Sequence, residues 1–213
     1  GRVLCVRHFH ADALNYEDIL DGTTGLSSDL DSVIEVVQGR GYSPKATHDL
    51  LRAGYRFGFI GSTDHYRPPG HPNGGVGIYE QAIAGVWMPE ITRENLFEAL
   101  RKRRCFSTNG PRLAACLRVN DRFMGGETNG RSENKIDLEI TPTTELSEVR
   151  IVRNGEIIAE SFPGGIDPVS LRYSDAPGDD SEHYYYAEIV QAPEAGLSYP
   201  GIAWTSPVWV TSG

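Results

Sequence analysis

An α/β first half followed by an all-β second half is the fold class this sequence predicts, on three observations. Up to residue 110, short apolar, β-branched runs alternate with helix-like segments. Beyond Pro111 the pattern changes to short strands of alternating polarity separated by turn residues. Two of these strands are joined by Asn154-Gly155, the strongest short hairpin signal available. The 213 residues are enough for one large or two small domains with ample core. We place the boundary near Pro111, giving a segment 1–110 and a β-sandwich domain 111–213.

In the first segment, Val3-Leu4-Cys5-Val6 is strand-like and leads into His8-Phe9-His10. Val33-Ile34-Glu35-Val36-Val37 is a second β-branched run, followed by Gln38-Gly39-Arg40-Gly41. Ser43-Pro44 supplies an N-cap and a first-turn proline for a helix carrying Ala46, Leu50, Leu51 and Ala53, which Gly54 stops. Phe57 to Ile60 forms a third strand and Ala82 to Trp87 a fourth. Thr92 caps a further helix with Leu96, Phe97 and Leu100 on one face. Strands separated by helices imply parallel pairing in a layer or barrel. In the second segment Leu113, Ala115, Leu117 and Val119 alternate, as do Ile136, Leu138 and Ile140. Val149–Arg153 meets Glu156-Ile157-Ile158 through the Asn-Gly turn, and Tyr184–Val190 and Val208–Val210 add strands. Together they predict an antiparallel sandwich.

The formal charge of −9 and pI near 5.1 argue against a general nucleic-acid binder, whose phosphate contacts need a basic face. The dense basic run Arg101-Lys102-Arg103-Arg104 reads as a helix end, where the dipole favours cations. Cys5, Cys105 and Cys116 lack metal-ligand spacing and read as free thiols. No apolar stretch approaches the roughly 18 residues of a membrane span.

Residues 57–65, Phe-Gly-Phe-Ile-Gly-Ser-Thr-Asp-His, carry the most chemical information. A short apolar run ends in small residues, and an acid and an imidazole emerge side by side where strand ends meet ligands. The following Arg-Pro-Pro-Gly-His-Pro-Asn-Gly-Gly continues neither strand nor helix. His8 and His10, two apart on extended chain, share a side and can reach one ion. Glu35 interrupts an apolar strand, which is costly unless the carboxylate is paired, hydrogen-bonded or metal-bound. Such His/carboxylate sets suit divalent ions that activate water. His8, His10, Glu35, Asp64 and His65 are therefore the candidate metal ligands. Arg40, Arg67 and His71 are the candidate contacts to substrate, and His48 reads as a solvated helix residue. No Gly-x-Ser-x-Gly elbow, Walker loop or Gly-x-Gly-x-x-Gly fingerprint occurs.

Tyr55–His65, with Pro69-Gly70 and Gly74-Gly75 after it, resembles the last metal motif of PHP-domain (polymerase and histidinol phosphatase) proteins, and most of all their DUF3604 branch. The likeness continues through Leu96–Arg101, Arg104–Gly110, Val119-Asn120, Met124-Gly125 and Ala203–Val210, and Ile34-Glu35-Val36 resembles the branch's glutamate-bearing strand. The resemblance implies a distorted (β/α)7 barrel, of which residues 1–110 would be the carboxy-terminal part. It also implies a multinuclear site of divalent ions (Zn, Mn or Fe) that hydrolyses phosphoesters, acting on a small anionic substrate. In the family pattern Asp64 matches the last motif's aspartate, while Tyr66 stands where Asp-x-His would place histidine. The family's earlier motifs lie upstream of the region matched, so an upstream segment or second subunit would complete the ligand set. A different class of function, a non-catalytic interaction or carbohydrate-binding module, would instead use Tyr184, Tyr186, Trp204 and Trp209 as a binding face.

Overall fold

The computed structural model describes residues 3–8, 16–22, 25–26, 30–38, 41–63, 82–178 and 181–211, with His8 and Tyr16 in backbone only. The chain divides into two compact units, Gly1–Gly110 and Pro111–Gly213.

The first unit is built on the β-branched run the sequence singled out. β1 (Val6–His8), α1 (Tyr16–Leu20), β2 (Val33–Gln38), β3 (Gly41–Tyr42), α2 (Pro44–Arg52) and β4 (Gly58–Ser62) follow in order. Every residue of β2 is buried, and β2 has strand neighbours on both edges. On one edge β1 runs parallel to its first half, with Val6, Arg7 and His8 opposite Val33, Ile34 and Glu35. β3 then pairs antiparallel with its end, Tyr42 opposite Val37. On the other edge β4 runs parallel along the whole strand. Pro44 opens α2 and Thr47 Oγ1 donates to Ser43 O at 2.8 Å, but the Ser43 side chain makes no capping hydrogen bond. The helix ends before Gly54, whose φ of 88° is open to glycine without strain. The Tyr55 hydroxyl donates to Ile19 O at 3.1 Å, fastening α1 to the segment that follows α2.

β5 (Ile83–Val86), α3 (Arg93–Arg101) and β6 (Cys105–Thr108) complete the unit. Thr92 caps α3, its Oγ1 accepting from Asn95 N at 3.1 Å. β5 and β6 are antiparallel, Val86 opposite Cys105. Here the expected α/β architecture and partial (β/α) barrel are overturned. A barrel needs each helix to carry the chain back to a parallel strand. Instead β3 folds straight back on β2. Arg103, at φ 57°, reverses the chain after α3, so that Trp87 N bonds Arg104 O at 2.8 Å and β6 runs against β5. Among the described residues sixteen strands stand against three helices. The hydrophobic period distinguishes strand from helix, but not one pairing direction from the other.

The second unit is a β-sandwich. It contains β7 (Ala114–Val119), β8 (Arg122–Phe123), β9 (Glu127–Asn129), β10 (Asn134–Thr141) and β11 (Leu146–Arg153). β12 (Glu156–Ser161), β13 (Val169–Asp175), β14 (His183–Gln191), β15 (Gly201–Thr205) and β16 (Val208–Thr211) follow. One sheet has the order β13-β10-β7-β8. In the other, β12, β11 and β14 are neighbours, and the long β14 pairs with β15 along one half and β16 along the other. The break between β15 and β16 falls at Ser206-Pro207, since proline cannot donate to the ladder. β9 lies parallel to β16. Asn154 and Gly155, at φ 53° and 86°, form the tight turn between β11 and β12. Ala115, Leu117, Val119, Ile136, Leu138 and Ile140 from the first sheet are buried with Val149, Ile151, Ala187, Ile189 and Ala203 from the second. This is the inward-facing alternation of a sandwich core.

Candidate site at the ends of the parallel strands

β1, β2 and β4 run in one direction, so their last residues, His8, Gln38 and Ser62, fall at the same end of the sheet. Ligands of open sheets with parallel strands gather at this carboxy end. Glu35 lies three residues before the end of β2, at the register position of His8 on one side and Ile60 on the other. It is only 5 % exposed, and the Ser62 hydroxyl donates a hydrogen bond to Glu35 Oε1. A carboxylate this deep among valines and isoleucine is held in one orientation by the hydroxyl that donates to it.

A β-bulge shapes this corner. Glu35 pairs with Ile60 and Val37 with Gly61, so Val36 is an extra residue on β2. The inserted residue shifts the alternation, and Gln38, three positions on, comes opposite Ser62 on the face that carries Glu35. The other face is closed at Gly61. A Cβ there would lie 2.7 Å from Ile83 O and 2.9 Å from Val37 Cγ1, so only glycine lets β4 approach so closely.

Of the residues expected from sequence, the structure places His8 and Glu35 in adjacent strands at one register position. His10, Arg40, Asp64, His65, Arg67 and His71 lie outside the described residues. Among the described residues no group of three His, Cys, Asp or Glu side chains converges as a metal cage. His48 is half-buried rather than solvated, and burial, reinforced by the Arg52 charge, holds its imidazole below the ordinary value. Cys105 and Cys116 are buried free thiols and Cys5 is exposed. Tyr184, Tyr186, Trp204 and Trp209 are all buried and offer no open aromatic face. No helix among the described residues is long and apolar enough to cross a membrane.

Sequence reasoning missed Ser62 and Gln38. The available signal was positional: each is the polar residue that closes an apolar strand run. A serine or glutamine there reads equally well as the start of a turn.

The chain is similar to uncharacterized proteins of Chlamydia pneumoniae, at 28 % identity over 178 residues, and of Chlamydia muridarum and Chlamydia trachomatis, at 25 % each. Each alignment covers 75 % of this chain and 28 % of the relative, so the chain spans little more than a quarter of their length. Among solved structures, the CARDB domain of the PF1109 protein from Pyrococcus furiosus, in complex with di-metal ions, is matched over 48 % of this chain and 92 % of that one. That match has 13 % identity and a TM-score of 0.29, too low to carry an argument. Over residues 74–136 the chain matches the family described as Protein of unknown function (DUF3604).

Proposed function

We propose that this chain forms part of a divalent-metal-dependent hydrolase of the PHP kind, acting on small phosphoesters. The observation that carries the reading is Glu35: a carboxylate buried in a β-branched strand, oriented by Ser62 and level with His8 at the carboxy end of three parallel strands. The donor types suit a hard or borderline ion. Glu35 and His8 would hold it, with His10, Asp64 and His65 as the remaining candidate ligands. When bound, such an ion supplies Lewis acidity toward a phosphoryl oxygen and lowers the pKa of water. The chain's own part is to fix the carboxylate, through the Ser62 hydrogen bond, and to exclude bulk water with the apolar residues of β2. Arg40, Arg67 and His71 are the proposed contacts to the anionic substrate.

The test compares wild type, Glu35→Gln and Asp64→Ala, each purified after growth with Zn, Mn or Fe, by elemental analysis and hydrolysis of p-nitrophenyl phosphate. Stoichiometric metal is expected in wild type and its loss in both variants. A fall in rate of at least about 100-fold should accompany that loss, as for any group contributing several kcal/mol at the reaction centre. Wild type free of metal, or variants that keep both metal and rate, would exclude the reading.

A further inference from the structure

Gln38 adds an observation that the proposed hydrolase site does not use. It ends β2, is 3 % exposed, and its side-chain oxygen Oε1 has no hydrogen-bond partner. A buried amide oxygen without a donor costs free energy that a folded protein ordinarily avoids. Its position is not accidental to the strand's geometry either. Without the bulge at Val36, regular alternation would put residues 35 and 38 on opposite faces. With it, Gln38 stands directly across from Ser62. Ser62 is also the residue whose hydroxyl reaches Glu35 Oε1, so the glutamate's head group leans along the strand toward the glutamine's position. A carboxylate and the hydroxyl bonded to it thus share the face of the sheet, toward its carboxy end, on which the register places the residue with the unpartnered carboxamide oxygen.

We propose that Gln38 Oε1 is a direct oxygen ligand to the divalent cation held by Glu35. This rests on the metal-site reading above and deepens it. Two oxygen donors from β2, one charged and one neutral, added to the imidazoles, make the site one that Mn²⁺ can occupy. Ser62 is then a positioning residue that holds the carboxylate without coordinating. In the metal-free protein Gln38 Oε1 is left as an acceptor without a donor, and the cation satisfies it.

The experiment measures Mn²⁺ binding to the full chain by electron paramagnetic resonance of the free ion, together with thermal unfolding of the metal-free protein. Gln38→Met keeps the side chain's length and removes the acceptor. It is expected to weaken Mn²⁺ binding at least tenfold while unfolding no earlier than wild type. Gln38→Glu should bind Mn²⁺ at least as tightly as wild type. If Gln38→Met binds Mn²⁺ within twofold of wild type while Glu35→Gln loses it, the assignment of Gln38 falls and the metal site stands. Earlier unfolding of metal-free Gln38→Met would make Gln38 a structural hydrogen-bonding residue and likewise overturn the assignment. Wild type that binds no Mn²⁺, or Glu35→Gln that binds it normally, overturns both.

Discussion

Replacing Trp209 with alanine is expected to destabilise the second unit by about 3–5 kcal/mol, the range for emptying a large aromatic site in a packed core. Trp209 is 1 % exposed and lies in the four-residue strand β16, opposite Tyr184 on β14 and Glu127 on β9. Its backbone N–H donates to Gly126 O at 3.1 Å. A strand this short has few other contacts with which to hold β9 against β14, and neighbouring backbone cannot collapse into the void without breaking that ladder. Urea unfolding followed by far-ultraviolet circular dichroism measures the loss. A loss below about 1.5 kcal/mol would mean that the indole site relaxes far more than its burial implies. Trp209→Phe, which retains most of the apolar volume, should recover a large part of the stability.

Asp175→Ala is expected to cost about 2–4 kcal/mol by leaving a guanidinium and a phenol without their common acceptor. Arg153 Nη1 lies 2.9 and 2.8 Å from the two carboxylate oxygens, and the Tyr185 hydroxyl donates to Oδ2 at 2.7 Å. Arg153 and Tyr185 belong to one sheet of the sandwich and Asp175 to the other, so the carboxylate joins the two sheets. The chain of bonds continues inward. Asn134 Nδ2 donates to the Tyr185 hydroxyl at 3.2 Å, and Asn120 Nδ2 to Asn134 Oδ1 at 2.8 Å. Burial, reinforced by the bond to Asp175, pushes the Tyr185 phenol above its ordinary range, so it remains a donor throughout the physiological range. Asp175→Asn, which keeps an acceptor but loses the charge, should cost less than Asp175→Ala by urea unfolding. Equal costs for the two would show that the carboxylate's charge beside Arg153, not the presence of an acceptor, sets the effect.

What could be read from the sequence follows the range of the interactions involved. The Asn154-Gly155 turn, the Thr92 cap and the end of α2 near Gly54 depend on residues within a few positions of one another, and the structure forms each of them. Glu35 was visible because a carboxylate is chemically out of place among valines. The direction of β6 was not visible: it depends on Arg103 adopting a left-handed conformation, for which arginine carries no particular preference. The bulge at Val36 was equally hidden, because an extra residue is defined only against the partner strand. With it went Gln38 and Ser62, which the bulge brings opposite one another on the face that carries Glu35. The four aromatics of the alternative reading show the converse. Tyr184, Tyr185 and Tyr186 are consecutive on β14 and all buried. The strand is therefore covered on both faces, and alternation could not separate a binding face from a core.

The claim on which the functional account depends is that Glu35 holds a divalent cation at the carboxy end of β2. Anomalous diffraction from a crystal of the chain grown with Mn²⁺ tests it most directly. The account expects a peak about 2.0–2.3 Å from a Glu35 carboxylate oxygen, absent from crystals of Glu35→Gln grown in the same way. A well-ordered Glu35 with no peak beside it, or Mn²⁺ bound only elsewhere on the chain, would contradict the account.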